Sequence, residues 1–181
     1  MNLTKIEIVK KALEVNDAKE YYRVIGDDED ISISMTLDAA VIKAEQRTNL
    51  SLGIYRYEMS FDSFVQKITL LKPPLLEIES VLYLDKDDTY KELDYELFTC
   101  LAQPAFLLLQ KPEDFKEAQR CIVVRYKAGY EDIPAPIKNW ILIYGLTLFE
   151  QREGMVVGTS VSTEPSKYYD HLLDSYRIRP L

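Results

Sequence analysis

The chain has 181 residues, of which 47% are hydrophobic, and carries a net charge of −8. That length is enough to bury one good core and short for two large ones. The charge argues against a general nucleic-acid surface, which needs clustered Lys and Arg, though DNA passing an acidic wall stays compatible with it.

The first residues, Met1-Asn2-Leu3-Thr4-Lys5, lack a basic region followed by a long apolar run, so no signal peptide is expected. The longest apolar stretch, from Trp140 to Phe149, is about half the length of a membrane span. Cys100 and Cys121 are the only cysteines and have no C-x-x-C spacing. They read as two unrelated buried thiols in a reducing compartment. The thirteen tyrosines suit interfaces, because Tyr combines large area with little rotamer freedom. A Tyr-rich sheet would account for them equally well.

In chain order, residues 4–11 alternate weakly through Ile6 and Ile8 and are taken as a strand, although Ile6, Val9 and Leu13 also fit a helix. Asn16 is the expected N-cap of a short helix through Val24 that Gly26 ends. Asp27-Asp28-Glu29-Asp30 opens a longer helix to about Thr48, with its carboxylates where the helix dipole favours them. Along it Ile33, Leu37, Ala40, Val41 and Ala44 form one apolar stripe, and Ile31, Met35, Ala39 and Ile42 form a second beside it. So wide an apolar arc suggests contact on more than one side.

From residue 55 to 127 the texture changes to short β runs at 57–61, 67–71, 80–84, 90–98, 105–110 and 121–127. Pro73-Pro74 separates two of them, and Asp85-Lys86-Asp87-Asp88 reads as a hairpin turn. This spacing favours an antiparallel sheet over βαβ units. Pro134 and Pro136 fit the first turn of a helix reaching about residue 153. Ile137, Trp140, Ile141, Tyr144 and Leu148 occupy one face of it, while Leu142, Ile143, Leu146 and Phe149 cover most of the rest. A helix apolar nearly all round must be buried on several sides, one of them available to a neighbouring subunit. Residues 154–167 read as a mobile loop, followed by a short helix over about 167–175 and a tail at 176–181.

The expected fold class is therefore α+β. A helical layer of about four helices (about 16–48 and 134–175) is interrupted by an antiparallel β insertion (about 55–127), all in one domain, 1–181.

Candidate chemistry is thin. His171 is the only histidine, and an ordinary surface or interface histidine is the simpler reading than a triad or zinc ligand. The acidic run at 27–30 could bind a divalent cation but reads more simply as a helix start. Asp85-x-Asp87-Asp88 lacks the Gly and Glu spacing of a calcium loop and reads as a turn. There is no phosphate-cradling glycine motif among only six glycines. No pair of the thirty acidic residues is singled out for acid–base work. No catalytic, cofactor-binding or metal-binding residue is expected. Gly129, between a β run and Pro-x-Pro, is expected to hold φ > 0. The Tyr130 ring would then pack at the helix start marked by Pro134, and these three residues form a structural corner.

Several fragments carry a family resemblance. Val15-Asn16-Asp17-Ala18-Lys19-Glu20-Tyr21-Tyr22-Arg23-Val24 is followed by Asp28 and Asp30, and a helix ends in Ala44-Glu45-Gln46-Arg47-Thr48. Ile78-Glu79-Ser80-Val81-Leu82-Tyr83-Leu84-Asp85 comes next, then Tyr126-x-Ala128-Gly129-Tyr130, Ile133-Pro134-x-Pro136-Ile137, Glu150-x-Arg152 and Leu172-Leu173-x-x-Tyr176-Arg177. In this order they resemble the head-tail connector (adaptor) proteins of tailed bacteriophages and prophages. The region 89–117 has no counterpart in that pattern.

The resemblance implies a non-catalytic structural virion protein. It would form a homo-oligomeric ring, a dodecamer in the virion, under the portal vertex and join the DNA-filled head to the tail. The implied partners are further copies of itself, the portal protein and a tail or stopper protein. Genomic DNA would pass through without sequence-specific binding, and no membrane is involved. Its place would be the virion, or the cytoplasm of the bacterial host when prophage-encoded. Within that frame Leu142, Ile143, Leu146 and Phe149 are expected to meet a neighbour or the portal, and Tyr176, Arg177 and Arg179 to act as a contact arm. The alternative from another class is a small intracellular enzyme or ligand-binding domain with a pocket between sheet and helices.

Overall fold

Strands and helices come in blocks along the chain: one strand, two helices, seven strands and two helices among the described residues, which are 1–100, 103–151 and 169–178 of the computed structural model. These blocks sort into two compact units. Met1–Lys10 and Gly53–Glu131 form a β unit, and Lys11–Leu52 and Asp132–Leu181 form a helical unit. The fold is α+β, with the antiparallel β block inserted between the second helix and the C-terminal helices.

The helical unit starts with α1 (Val15–Tyr22). Its cap is Glu14 and not Asn16, because the Asp17 carboxylate reaches back to accept the Glu14 N–H at 3.0 Å. The helix also ends earlier than expected. Arg23 takes the left-handed conformation (φ 58°) and donates its N–H to the Lys19 carbonyl, so Gly26 (φ 88°) lies in the connection. Next, α2 (Asp30–Thr48) buries Ile33, Leu37, Ala40, Val41 and Ala44, the first of the two apolar stripes. Its acidic start is neutralised by Lys19, whose Nζ lies 2.6 Å from Asp27 Oδ1 and 2.7 Å from Asp30 Oδ1. The carboxylates at 27–30 thus serve the helix start.

The third helix, α3 (Ala135–Glu150), begins after Pro134, whose carbonyl accepts the N–H groups of Ile137 and Lys138. From residue 140 to 149 every position is buried or half-buried, as its all-round apolar sequence predicts. Gly145 lets α1 and α2 approach: a Cβ there would lie 2.4 Å from the Tyr22 hydroxyl and 3.7 Å from the Ala40 Cβ. A short α4 (His171–Asp174) closes the unit through Asp170, which accepts the Trp140 Nε1–H at 3.3 Å and pairs with Arg47. The predicted loop at 154–167 falls outside the described residues.

The β unit holds β1 (Asn2–Lys10), β2 (Ile54–Phe61), β3 (Lys67–Thr69), β4 (Leu75–Leu84), β5 (Tyr90–Glu92), β6 (Tyr95–Cys100), β7 (Gln103–Leu109) and β8 (Ile122–Ala128). All pairings are antiparallel, but they form two sheets where one was expected: β1-β2-β8-β4-β5 and β3-β7-β6. The expected run at 90–98 breaks at Leu93, which turns into the core and sends β5 and β6 to different sheets. The run at 80–84 is the buried end of a strand that starts at Leu75, whose first half is exposed or half-buried. The region 89–117, without counterpart in the family pattern, supplies β5, β6, β7 and a return through Phe115, which bridges to Asp85.

Alternation along β2 and β8 fixes the register at the centre of the larger sheet. Tyr55, Tyr57, Met59 and Phe61 of β2 and Ile122, Val124 and Tyr126 of β8 point into one core, with Tyr57 and Tyr126 stacked at 5.6 Å. The opposite face is a lattice of ion pairs. Arg56 reaches Glu7 and Glu79, Glu58 holds Arg120 and Arg125, and Lys127 bridges Glu77 and Glu79. Each such exposed pair contributes at most about 1 kcal/mol, so the lattice specifies which face is outside more than it stabilises the fold.

Gly129 follows β8 with φ 140°, the positive value its position predicts. Its N–H donates to the Pro74 carbonyl at 2.9 Å, and a Cβ there would sit 1.9 Å from the Gly53 carbonyl oxygen. The glycine is thus required twice, by its dihedral and by a backbone crossing.

Candidate functional site

The polar side chains that could carry chemistry are placed by the turns of the β unit. Asp85 follows β4, and its Oδ1 accepts the N–H groups of Asp87 and Thr89 at 2.9 Å each. Lys91 lies 2.7 Å from its Oδ2 and holds the carboxyl below its usual value of 3.8. The loop is a side-chain-organised turn, as its sequence suggests. Nearby, Asp114 accepts from the Tyr83 hydroxyl at 2.9 Å and pairs with Lys91 at 2.8 Å. The hydrogen bond to Asp114 raises the Tyr83 phenol further from neutrality, which makes it a poor acid.

Of these groups, Tyr83 lines an open cleft of about 680 Å³ together with Glu92, Asp94, Glu96, Lys111 and Glu113, among others. Its acidic residues line it together with Lys111, and no nucleophile held by a base is among the lining residues. No group of three His, Cys, Asp or Glu side chains among the described residues could hold a metal ion. His171 is exposed on α4. Cys121 is buried and donates its thiol to the Phe61 carbonyl at 3.3 Å. None of these arrangements forms a reacting constellation.

What the structure does present is apolar surface. On α2 the second stripe lies in the open: Ile31 is 80% exposed, Met35 69% and Ile42 54%, with Ala39 exposed between them. On β1, an edge strand, Ile6, Ile8 and Val9 are each about half exposed, and register shifts at Lys5/Glu7 and Ile8/Lys10 take Ile6 and Val9 out of the ladder. Such bulges are a device that edge strands use against indiscriminate pairing. On β6, the edge of the smaller sheet, Tyr95, Leu97 and Phe98 are exposed, and Phe98 stacks on Phe106 at 4.9 Å. Sequence reasoning passed over the β6 patch, because alternation in an edge strand looks the same whether its outer face is covered or not.

The residues expected to make contacts divide. Leu142 and Phe149 are buried, Phe149 against the Tyr22 ring at 5.9 Å. Ile143 and Leu146 are half-buried and keep surface available. Tyr176 is half-buried and Arg177 exposed, while Arg179 lies outside the described residues. The tail is tied down at least to Ile178, whose N–H donates to the Thr48 carbonyl at 2.9 Å and whose carbonyl accepts from the Asn49 side chain at 2.8 Å. The segment from residue 176 to 178 is therefore anchored on the end of α2. At the expected corner Gly129 is buried, and Tyr130 and Pro134 are half-buried.

No protein-family model matches the chain, and no curated protein matches it. Solved structures do. A chain of the structure "Virion of native gene transfer agent (GTA) particle" shares 17% identity at a TM-score of 0.75, the match covering 100% of this chain and 98% of that one. A chain of "Neck of empty GTA particle computed with C6 symmetry" gives 18% identity and 0.73, and one of "Neck of native GTA particle computed with C12 symmetry" gives 16% and 0.70, with the same coverage in both. At such identities the likeness shows a common fold, and it runs through both units from end to end.

Proposed function

We propose that this chain is a structural subunit of the neck of a tailed, phage-like particle, a head-tail connector that assembles as a ring and joins the DNA-filled head to the tail. The observation that carries the reading is the end-to-end fold match to chains of gene transfer agent necks and virions. It agrees with the ordered sequence fragments that resemble head-tail connectors.

Three features support the finer parts of the reading. The C6 and C12 symmetry of the matching necks favours a ring, with a dodecamer as the natural count. The charge of −8 suits a conduit wall that lets DNA pass without gripping its phosphates. Exposed apolar patches on α2, β1 and β6 give the subunit several faces to engage its neighbours, the portal protein and a tail or stopper protein. Ile143, Leu146, Tyr176 and Arg177 remain contact positions in this reading, whereas Leu142 and Phe149 belong to the subunit's own core. The protein then works by assembly and not by catalysis, in the virion or in the host cell that builds it.

Deleting the gene from an inducible particle-producing strain tests this. Filled heads without tails, restored to tailed particles by the gene in trans, are the expected result. Normal tailed particles after deletion would remove the connector reading.

A further inference from the structure

The second stripe of α2 has a definite geometry. Ile31, Met35, Ala39 and Ile42 are spaced by four, four and three residues, so they run as one line along about 16 Å of helix. The opposite face of the same helix, through Ile33, Leu37, Ala40, Val41 and Ala44, is already committed to the core of the helical unit. A helix in one small unit needs only one apolar face. The second one is surplus to folding and costs solubility unless something covers it.

The rim of the line bears on what covers it. Asp27, Asp28 and Asp38 are exposed around it, Asp27 paired with Lys19 and Asp38 with Lys11 at a loose 3.5 Å. That acidic border disfavours the phosphates of DNA and the headgroups of an anionic membrane. It leaves a protein surface. The chains that share this fold come from necks computed with C6 and C12 symmetry, and a cyclic arrangement sets a copy beside every copy.

We propose that the outer stripe of α2 is the seam against a second copy of this chain. The proposal rests on the connector reading and adds to it the place of the subunit contact. Size gives it a further property. Four side chains along one helix cover well under half of the ~800 Å² per partner that a stable interface buries. The seam is therefore weak by itself, and the free chain is largely monomeric. Copies held together on a common platform meet at a high effective concentration, and the same contact then closes. The ring would form where it is templated and not in free solution.

The test uses the full chain. A benzophenone-bearing amino acid is placed at position 35, and in a control at position 86, where Lys86 sits exposed on the β4–β5 turn. Each protein is made with light and heavy nitrogen isotopes, mixed at high concentration, irradiated and digested. Mixed-isotope adducts from position 35 in clear excess over position 86, lost at least tenfold when Ile31→Glu is added, are expected. Exposed glutamate on a helix surface does not threaten folding, and circular dichroism verifies that. Self-adducts absent from position 35, no more frequent than from 86, or indifferent to Ile31→Glu, would overturn the seam. The gene-deletion phenotype does not depend on which face is the seam. Tailless heads combined with a failed cross-link would move the contact elsewhere and leave the connector, while normal particles with a positive cross-link would leave a self-associating protein of another role.

Discussion

Gly129→Val is expected to destabilise the β unit by about 3 kcal/mol or more, the largest effect of any single substitution outside the hydrophobic core. Two costs coincide at this position. The backbone φ of 140° lies where side chains are strained, at about 1–3 kcal/mol. A Cβ would also stand 1.9 Å from the Gly53 carbonyl oxygen and 2.8 Å from the Ile54 Cα, so the two backbones must separate. Overpacking of that kind adds about 1–3 kcal/mol. The separation would loosen the β2–β8 register where Tyr55 faces Ala128 and the hydrogen bond from Gly129 N–H to the Pro74 carbonyl. Urea unfolding followed by circular dichroism measures the effect. A variant within about 1 kcal/mol of the unmodified chain would show that neither the dihedral nor the crossing is as drawn.

Trp140→Ala should cost the helical unit about 3–5 kcal/mol, the usual range for emptying a buried aromatic site. Trp140 is 1% exposed, stacks on Tyr144 at 4.9 Å and carries the Arg47 guanidinium 5.6 Å from its ring. Its Nε1–H donates to Asp170, which also pairs with Arg47. Removing the indole thus takes away core volume and the donor that holds the segment before α4. Trp140→Phe separates the two parts. It keeps most of the packing and loses the hydrogen bond, so it should cost about 1–2 kcal/mol. The same unfolding experiment reads both variants. Equal losses for Ala and Phe would mean that the hydrogen bond, and not the packing, dominates.

The helical unit was largely legible in the sequence because its signals are local. The α2 stripe of Ile33, Leu37, Ala40, Val41 and Ala44 and the proline-started, all-round apolar α3 are both found where periodicity puts them. The ends of α1 were less legible. Its start is set by the Asp17 side chain returning to Glu14, and its stop by a left-handed Arg23, a conformation that residue type does not announce. Individual strands could be read from alternation, but their division into two sheets could not. It depends on Leu93 turning inward and on the cross-strand partners of β3 and β7, which are distant in sequence. The corner glycine was legible because glycine between a strand and Pro-x-Pro signals a positive φ, which it adopts at little cost.

The exposed apolar surfaces were half legible. Two apolar stripes on α2 could be seen, and only the structure tells that the second, from Ile31 to Ile42, lies exposed on the face opposite the first. On α3 the sequence offered Leu142, Ile143, Leu146 and Phe149 alike, and burial separates them in pairs. An apolar side chain carries no mark of whether its partner is its own chain or another. The tail shows the same limit: Tyr176 and Arg177 suggested an arm, while the backbone bonds of Ile178 to Thr48 and Asn49 fasten it.

The central claim is that this chain forms a ring at the junction of head and tail. Cryo-electron microscopy of particles from cells carrying the gene, reconstructed about the neck axis, tests it most directly. The account predicts a cyclic ring between portal and tail, with the twelvefold order of one of the matching necks, into which this fold fits along its whole length. A neck fully occupied by other chains, with this one absent from the purified particles, would contradict it.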